Sequence, residues 1–366
     1  MIRTKKTKTL SLWQALLFLT IPIILWALPA KNNKAEKTTE KNSFSYSFHK
    51  GFLFSKTRPP AKLPYCPRKR WNKGNLKGKV IILSPGHGYF NRPGYWTTQR
   101  GITHQLIEDI HTNEIAIDYL IPYLTKAGAQ VFSLRERSYQ KHEVIIDNHA
   151  KGRAFQLKGD WQISHRGGYQ GKDYRYTLVS STGLKRAVYR ATLPESGFYP
   201  VYIYYRSGRN RACRVLVEIH HSAGVTQVEV DQSKNGQRWL FLGEFYFEKK
   251  EGGEVHVLNR GTEEGKVVVA DAVRFGGGIG PSGQPRWKEG AMAWVEYLGA
   301  PFLTSFGEVN IRGKYADWQG GDLFLSLHTN AGGGQGTSSF IHSYAPSRGS
   351  KAFQAILHNQ LVQDIR

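Results

Sequence analysis

Val80-Ile81-Ile82-Leu83-Ser84-Pro85-Gly86-His87-Gly88 is a run of four apolar residues that turns on a proline and two glycines around a single histidine. Three of the four apolar side chains are β-branched, which predicts a short buried strand. Glycine on either side of His87 frees the backbone to aim the ring and leaves space beside it. A metal ligand or catalytic histidine at a strand end needs that freedom. An ordinary turn has the same pattern, so the weight of His87 depends on what else the chain brings to it.

Outward from this strand the pattern is mixed. A loop from Tyr89 to Leu106 carries Tyr95, Trp96, Gln99 and Arg100. Ile117, Leu120, Ile121 and Leu124 then fall on one face of a helix, with a kink or early break expected at Pro122 and a C-terminal glycine at Gly128. Gln130 to Arg135 reads as the next strand, completing a βαβ unit with parallel strands. The same logic returns late in the chain. Ala291 to Leu298 reads as a helix, and Asp322 to Asn330 as a buried strand ending on His328. Ser338 to Tyr344 is strand-like, and a helix is expected from Lys351 onward.

Between these parts the character changes. From 160 to 277 no helical period is visible. Short β-type runs follow one another: Tyr174–Val179, Ala187–Leu193, Tyr199–Arg206, Arg214–Ile219, Val225–Val230, Trp239–Phe247, Glu254–Leu258 and Val267–Phe275. Turns such as Asn235-Gly236 and Gly252-Gly253 separate them. Regular short strands with turn residues predict an all-β sandwich. The expected architecture is therefore an α/β domain, with a mixed, largely parallel sheet flanked by helices, in two parts (79–159 and 278–366). A β-sandwich inserted at 160–277 interrupts it.

Residues 1–9 carry Arg3, Lys5, Lys6 and Lys8, and residues 10–30 are almost wholly apolar. A basic segment before such a run is an export signal, and this run is long enough to span a bilayer. Leu28 makes a poor cleavage site, so residues 1–30 are expected to act as an uncleaved anchor, with cleavage as the alternative. Residues 10–30 would contact the membrane and the remainder would be exported, to the periplasm or cell envelope. Residues 31–78 read as a basic, proline-containing linker.

The chain has 51 Lys+Arg against 28 Asp+Glu, a net charge of +23. That balance implies anionic surroundings: nucleic acid, anionic lipid or acidic wall polymer. The basic residues are dispersed and no nucleic-acid motif accompanies them, so no nucleic-acid partner is expected. Two cysteines, Cys66 and Cys213, stand outside any CxxC, which excludes a zinc ribbon. Two unpaired thiols are expected, with a disulfide between them as the alternative.

In a parallel sheet, strand carboxyl ends open on one edge, where ligands bind. His87 and His328 both occupy such ends, and Glu108 lies just before the amphipathic helix. Two neutral imidazoles and a carboxylate, leaving one open position, form a donor set for catalytic zinc. Asp109 competes with Glu108 for the third place. Taken singly, each residue also has a structural reading: a turn histidine, a core histidine and a helix-start carboxylate.

At these residues the chain resembles the zinc-dependent N-acetylmuramoyl-L-alanine amidases of the amidase-3 type. The matching pieces are Ser84 to Gly88, Glu108 ahead of a helix ending in Ala127-Gly128-Ala129, Val131 to Arg137, and Ser326 to Ala331. The resemblance implies His87, Glu108 and His328 as zinc ligands, Zn2+ as cofactor and peptidoglycan as substrate. It implies a hydrolase that cuts the amide between N-acetylmuramic acid and L-alanine, in cell-wall remodelling or degradation. Trp96, Arg100 and Asn330 are candidate substrate-binding residues. The block at 160–277 is similar to golvesin/xanthan-lyase C-terminal domains, through Val228 to Gln232, Trp239 to Gly243 and Ala270 to Phe275.

The chain departs from the amidase pattern in two places. Asn113 follows Glu108 one residue later than the family's spacing. The family's second glutamate, a general base downstream of the last histidine, has no counterpart, because no glutamate follows Glu308. The chain stops at Arg366 within what resembles the preceding helix, as a truncated piece would. The alternative expectation is a non-catalytic wall-binding protein that keeps the zinc site without the base.

Overall fold

A computed structural model of the chain describes residues 23–24, 75–103, 105–330 and 336–365. Apart from Ile23–Ile24 and the turn at 75–78, the expected anchor (1–30) and linker (31–78) lie outside the described residues. Among the described residues no helix is long and apolar enough to cross a membrane.

The dominant architecture is an antiparallel sandwich. One sheet has five strands in the order Gly224–Val230, Val215–His221, Gly253–Leu258, Arg186–Ala191, Phe155–Lys158. The facing sheet has four: Leu240–Phe247, Gly197–Tyr204, Ala272–Phe275, Val144–Asp147. A three-stranded sheet of Gln162–Ser164, Tyr174–Leu178 and Val267–Ala270 adjoins them. Side-chain alternation explains why these residues fold this way. Val215, Val217 and Ile219 point inward while Leu216, Glu218 and His220 point out. Val201, Ile203, Val255, Val257, Val273 and Phe275 meet them in one core. Two strands of the sandwich, Val144–Asp147 and Phe155–Lys158, precede residue 160.

A second sheet holds Val80–Pro85 between Gln130–Ser133 and Leu323–Leu327, both parallel to it. Its remaining strands, Ile23–Ile24 and Ser339–Phe340, have two residues each. Helix Glu108–Ile115 continues through a π-helical turn, Ala116–Leu120, into Ile121–Lys126. The wider turn comes just before Pro122, which lacks the N–H an α-helix would use there. Gly128, at φ 98°, closes this helix as expected.

The expected α/β class does not describe this chain. Strand exceeds helix, 35% against 23%, and the fold is of the sandwich type. Among the described residues, parallel pairing of longer strands is confined to Val80–Pro85 and its two neighbours, so a largely parallel amidase-type sheet does not organise them. The reason lies in the numbers of strands. The sandwich block contributes most of them, and its antiparallel hairpins outweigh the two histidine-ending strands. Cys213 also departs from expectation: it is disulfide-bonded rather than a free thiol. The chain's other cysteine, Cys66, lies outside the described residues.

The sandwich is fused to the rest of the molecule. The outward faces of Tyr202 and Ala272 share a core with Trp294, Val295 and Leu298 of helix Ala291–Leu298, and with Ile311 and Tyr315 of helix Gly307–Gln319. Ile82 and Phe324 of the parallel strands close the same core from the other side. Arg274, fully buried, stacks on Tyr202 with its guanidinium carbon 3.8 Å from the ring centre and pairs with Glu136 at 2.9 Å. A buried guanidinium needs such a partner, because its charge is otherwise stripped of water.

Candidate metal centre

His87 leaves the end of Val80–Pro85 in a turn that only glycine fits. Gly86 has φ 46° and Gly88 φ 80°. A Cβ on Gly86 would overlap Thr112 Oγ1, and one on Gly88 would sit 2.6 Å from the Glu289 carbonyl carbon. Two buried arginines fix this turn. Arg312 donates to Ser84 Oγ at 3.1 Å and to the carbonyl of Gly86. Arg135 donates to the carbonyls of Pro85 (3.0 Å), Asp109 (2.6 Å) and Trp287 (3.0 Å). One guanidinium thus ties the histidine turn to the start of the helix that carries Glu108.

The structure brings His87, Glu108 and His328 together, with one ligand atom from each lying within 4.8 Å of the others. His328 Nδ1 is 2.9 Å from Glu108 Oε1, and His87 Nε2 is 3.8 Å from the same oxygen. The imidazole rings are 4.5 Å apart and tilted by 59°. His328 Nε2 meets Ser326 Oγ at 3.2 Å, so the ring is held with Nδ1 turned to the centre, where it contacts Glu108. Asp109, the competing carboxylate, is committed elsewhere: it accepts the backbone N–H groups of Gln99 (3.1 Å) and Arg100 (2.9 Å). Asn113 is likewise structural, donating to the carbonyls of Glu136 and Trp287.

Electrostatics favour metal-ready protonation states. Burial, the neighbouring His328 and the Arg312 charge push His87 down to about 3. His328 is lowered as well, mainly by burial. For Glu108 burial acts upward, but the His328 hydrogen bond and nearby positive charge bring its carboxyl below the usual range. Neutral imidazoles facing a carboxylate suit zinc. The donors also fit by an independent test: His87 Nε2 is buried and, among the described residues, has no hydrogen-bond partner.

Of the candidate substrate-binding residues, Arg100 reaches the centre, with Nε 3.3 Å from Glu108 Oε2 and the side chain 41% exposed. Asn330, two residues beyond His328, donates to the Gly336 carbonyl at 2.9 Å. Trp96 lies half-buried on the hairpin Phe90–Arg92/Tyr95–Thr97, paired with Asn91. Sequence reasoning missed Arg135 and Arg312, since nothing in a local pattern marks an arginine as buried. It also missed a second cluster, Glu218, His220 and His256, on the sandwich. The alternation Glu218-Ile219-His220 was its only signal, placing two donors on one face of a strand.

Comparison with known proteins concerns the sandwich. The Golvesin C-terminal domain family matches residues 144–277, which leaves His87, Glu108 and His328 outside the match. A xanthan lyase of Bacillus sp. (strain GL1) is 33% identical over 135 residues, covering 36% of this chain and 14% of that protein. The chain thus matches only a small part of that relative's length. Among solved structures, Paenibacillus xanthan lyase matches with 32% identity and a TM-score of 0.33, over 36% of this chain and 13% of that one. A family 35 carbohydrate-binding module from Clostridium thermocellum matches with 13% identity and a TM-score of 0.28, over 36% of this chain and 98% of that one. Residues 144–277 form a golvesin C-terminal domain, related to the C-terminal region of xanthan lyase, and the domain begins at Val144 rather than at 160.

Proposed function

We propose that the chain is an exported zinc hydrolase of the N-acetylmuramoyl-L-alanine amidase type, acting on peptidoglycan at the cell envelope. The observation that carries this reading is the convergence of His87, Glu108 and His328 from two strand ends and a helix start. These three residues would hold the ion. When bound there, zinc supplies Lewis acidity toward an amide carbonyl and toward water. The protein's own residues do the rest. Arg135 and Arg312 hold the ligand-bearing segments rigid, as a precise donor set requires. Arg100, partly exposed beside Glu108, offers a positive charge to an anionic stem peptide. The net charge of +23 suits an anionic wall or membrane surface.

For the golvesin domain the proposal is polysaccharide contact, with peptidoglycan glycan as the polymer. Its relative is named for xanthan, and that name supports the class of partner alone.

A second reading is favoured by one observation. Two carboxylates near the centre, Asp109 and Glu308, are already engaged. Asp109 binds two backbone N–H groups, and Glu308 caps Ala291 (3.0 Å) and Met292 (3.2 Å) while pairing with Arg312. A chain without a free base would bind the wall without cutting it, since general acid–base help contributes roughly 10²–10⁴-fold. One assay separates the readings. The zinc-loaded chain is incubated with purified peptidoglycan, and released peptides are examined for a new L-alanine amine. Release that disappears in His328→Ala supports the hydrolase. Wall binding without release supports the second reading.

A further inference from the structure

The golvesin domain carries a second group of metal-type donors, far in sequence from the first. Glu218 and His220 are two residues apart on strand Val215–His221, so both project from the outer face of the five-stranded sheet. His256 stands directly opposite Glu218 on the neighbouring strand Gly253–Leu258, and Glu254 stands opposite His220. The three donors converge. His220 Nε2 lies 3.5 Å and His256 Nδ1 3.7 Å from the same oxygen, Glu218 Oε2. Two ligands about 2.0–2.1 Å from one tetrahedral ion are about 3.3 Å apart, so little movement closes the site.

The atoms around these donors are arranged as a metal site requires. His256 Nε2 is bonded to Glu254 Oε2 at 2.8 Å, and Glu254 is held in turn by Arg190 Nε at 2.6 Å. That carboxylate accepts a hydrogen bond from Nε2–H and leaves the lone pair of Nδ1 facing Glu218, the outer-sphere device common to histidine ligands. Glu218 Oε1 accepts Gln227 Nε2 at 3.1 Å, which leaves Oε2 for the centre. His256 is 7% exposed, and its Nδ1 and the His220 Nε2 are buried without hydrogen-bond partners among the described residues. A buried polar atom without a partner is costly, and a cation would remove that cost at both nitrogens. The imidazole rings are 4.1 Å apart and tilted by 39°.

We propose that Glu218, His220 and His256 form a metal site on the golvesin domain that takes Zn2+ or a similar first-row divalent cation. Two imidazole nitrogens select against the hard, oxygen-seeking Ca2+ and Mg2+. The ion would pin two neighbouring strands of the five-stranded sheet. The His220 side chain is 35% exposed, so an ion could reach the site from solvent. Binding to the folded state alone would raise the domain's stability with zinc concentration.

The test uses the full chain, stripped of metal and titrated with zinc alone, with bound zinc counted by mass spectrometry. Circular dichroism checks the fold of each variant. In a His87→Ala/His328→Ala background the proposed hydrolytic centre cannot contribute, so its failure cannot be confused with failure here. One equivalent of zinc is expected in that background, falling to none when His220→Ala is added. Glu218→Gln, which preserves shape and folding, is expected to abolish the zinc-dependent rise in melting temperature in the same background. The proposal is overturned if the background binds no zinc. It is equally overturned if bound zinc and the melting shift persist in both added variants.

Discussion

Nδ1 of His328 lies 2.9 Å from Oε1 of Glu108, joining a strand end to a helix start 220 residues earlier in the chain. That contact depends on the backbone that presents each residue. Glu108 begins the helix, and its neighbour Asp109 holds the preceding loop. The two adjacent carboxylates therefore have separable roles.

Glu108→Gln is expected to reduce zinc affinity at the first centre by about tenfold or more, because a carboxylate ligand becomes a neutral amide. Asp109→Asn is expected to keep zinc there but to destabilise the fold by about 1–3 kcal/mol, since the loop amides of Gln99 and Arg100 lose a charged acceptor. Zinc titration and urea melts of the two variants, each in a His220→Ala background, measure both effects.

Arg135 is 1% exposed and serves three backbone carbonyls. Arg135→Met is expected to destabilise by at least about 3 kcal/mol, as hydrogen bonds to a charged donor are worth about 1.5–3 kcal/mol each. Arg135→Lys should restore little, because one ammonium cannot span carbonyls set for a planar fork. Chemical denaturation reads the stability, and loss of zinc at the first centre in both variants would show that the two ligand-bearing segments have parted.

Asp271 links stability to pH. Its carboxyl is pushed up to about 8, chiefly by burial and further by Asp147 and Asp173, against the Tyr169 N–H that donates to it. In an unfolded chain the same group releases its proton near about pH 4. Through the window between those values the folded protein holds a proton that the unfolded chain has lost, so this contribution falls as pH rises. Asp271→Asn has no such proton. Its stability relative to the parent chain is expected to improve from about pH 5 to about pH 8, measured by urea melts across that range.

Part of this architecture was readable before any coordinates. Gly86-His87-Gly88 and the strand ending on His328 announced themselves by local pattern, and the period-2 runs from Tyr174 to Phe275 announced a sandwich. Glu108 and Asp109 were not separable, because neighbours in sequence differ only in the direction their side chains take. The sandwich boundary was misplaced because Val144-Ile145-Ile146-Asp147 is one short apolar run outside the regular series and becomes a strand of the sandwich only by pairing with Ala272–Phe275. The fold class was misjudged for a related reason: a few residues with strong chemistry outweighed a longer block without any. Arg135, Arg274 and Arg312 were invisible, since their burial is set by carbonyls and carboxylates that only the tertiary fold assembles.

The central claim is that His87, Glu108 and His328 share one zinc ion. Anomalous diffraction at the zinc edge, from crystals of the zinc-loaded chain, tests it directly. The account predicts a peak about 2.0–2.1 Å from His87 Nε2 and His328 Nδ1 and about 2.0–2.2 Å from a Glu108 oxygen. A zinc-loaded crystal with no peak among these three residues would contradict it.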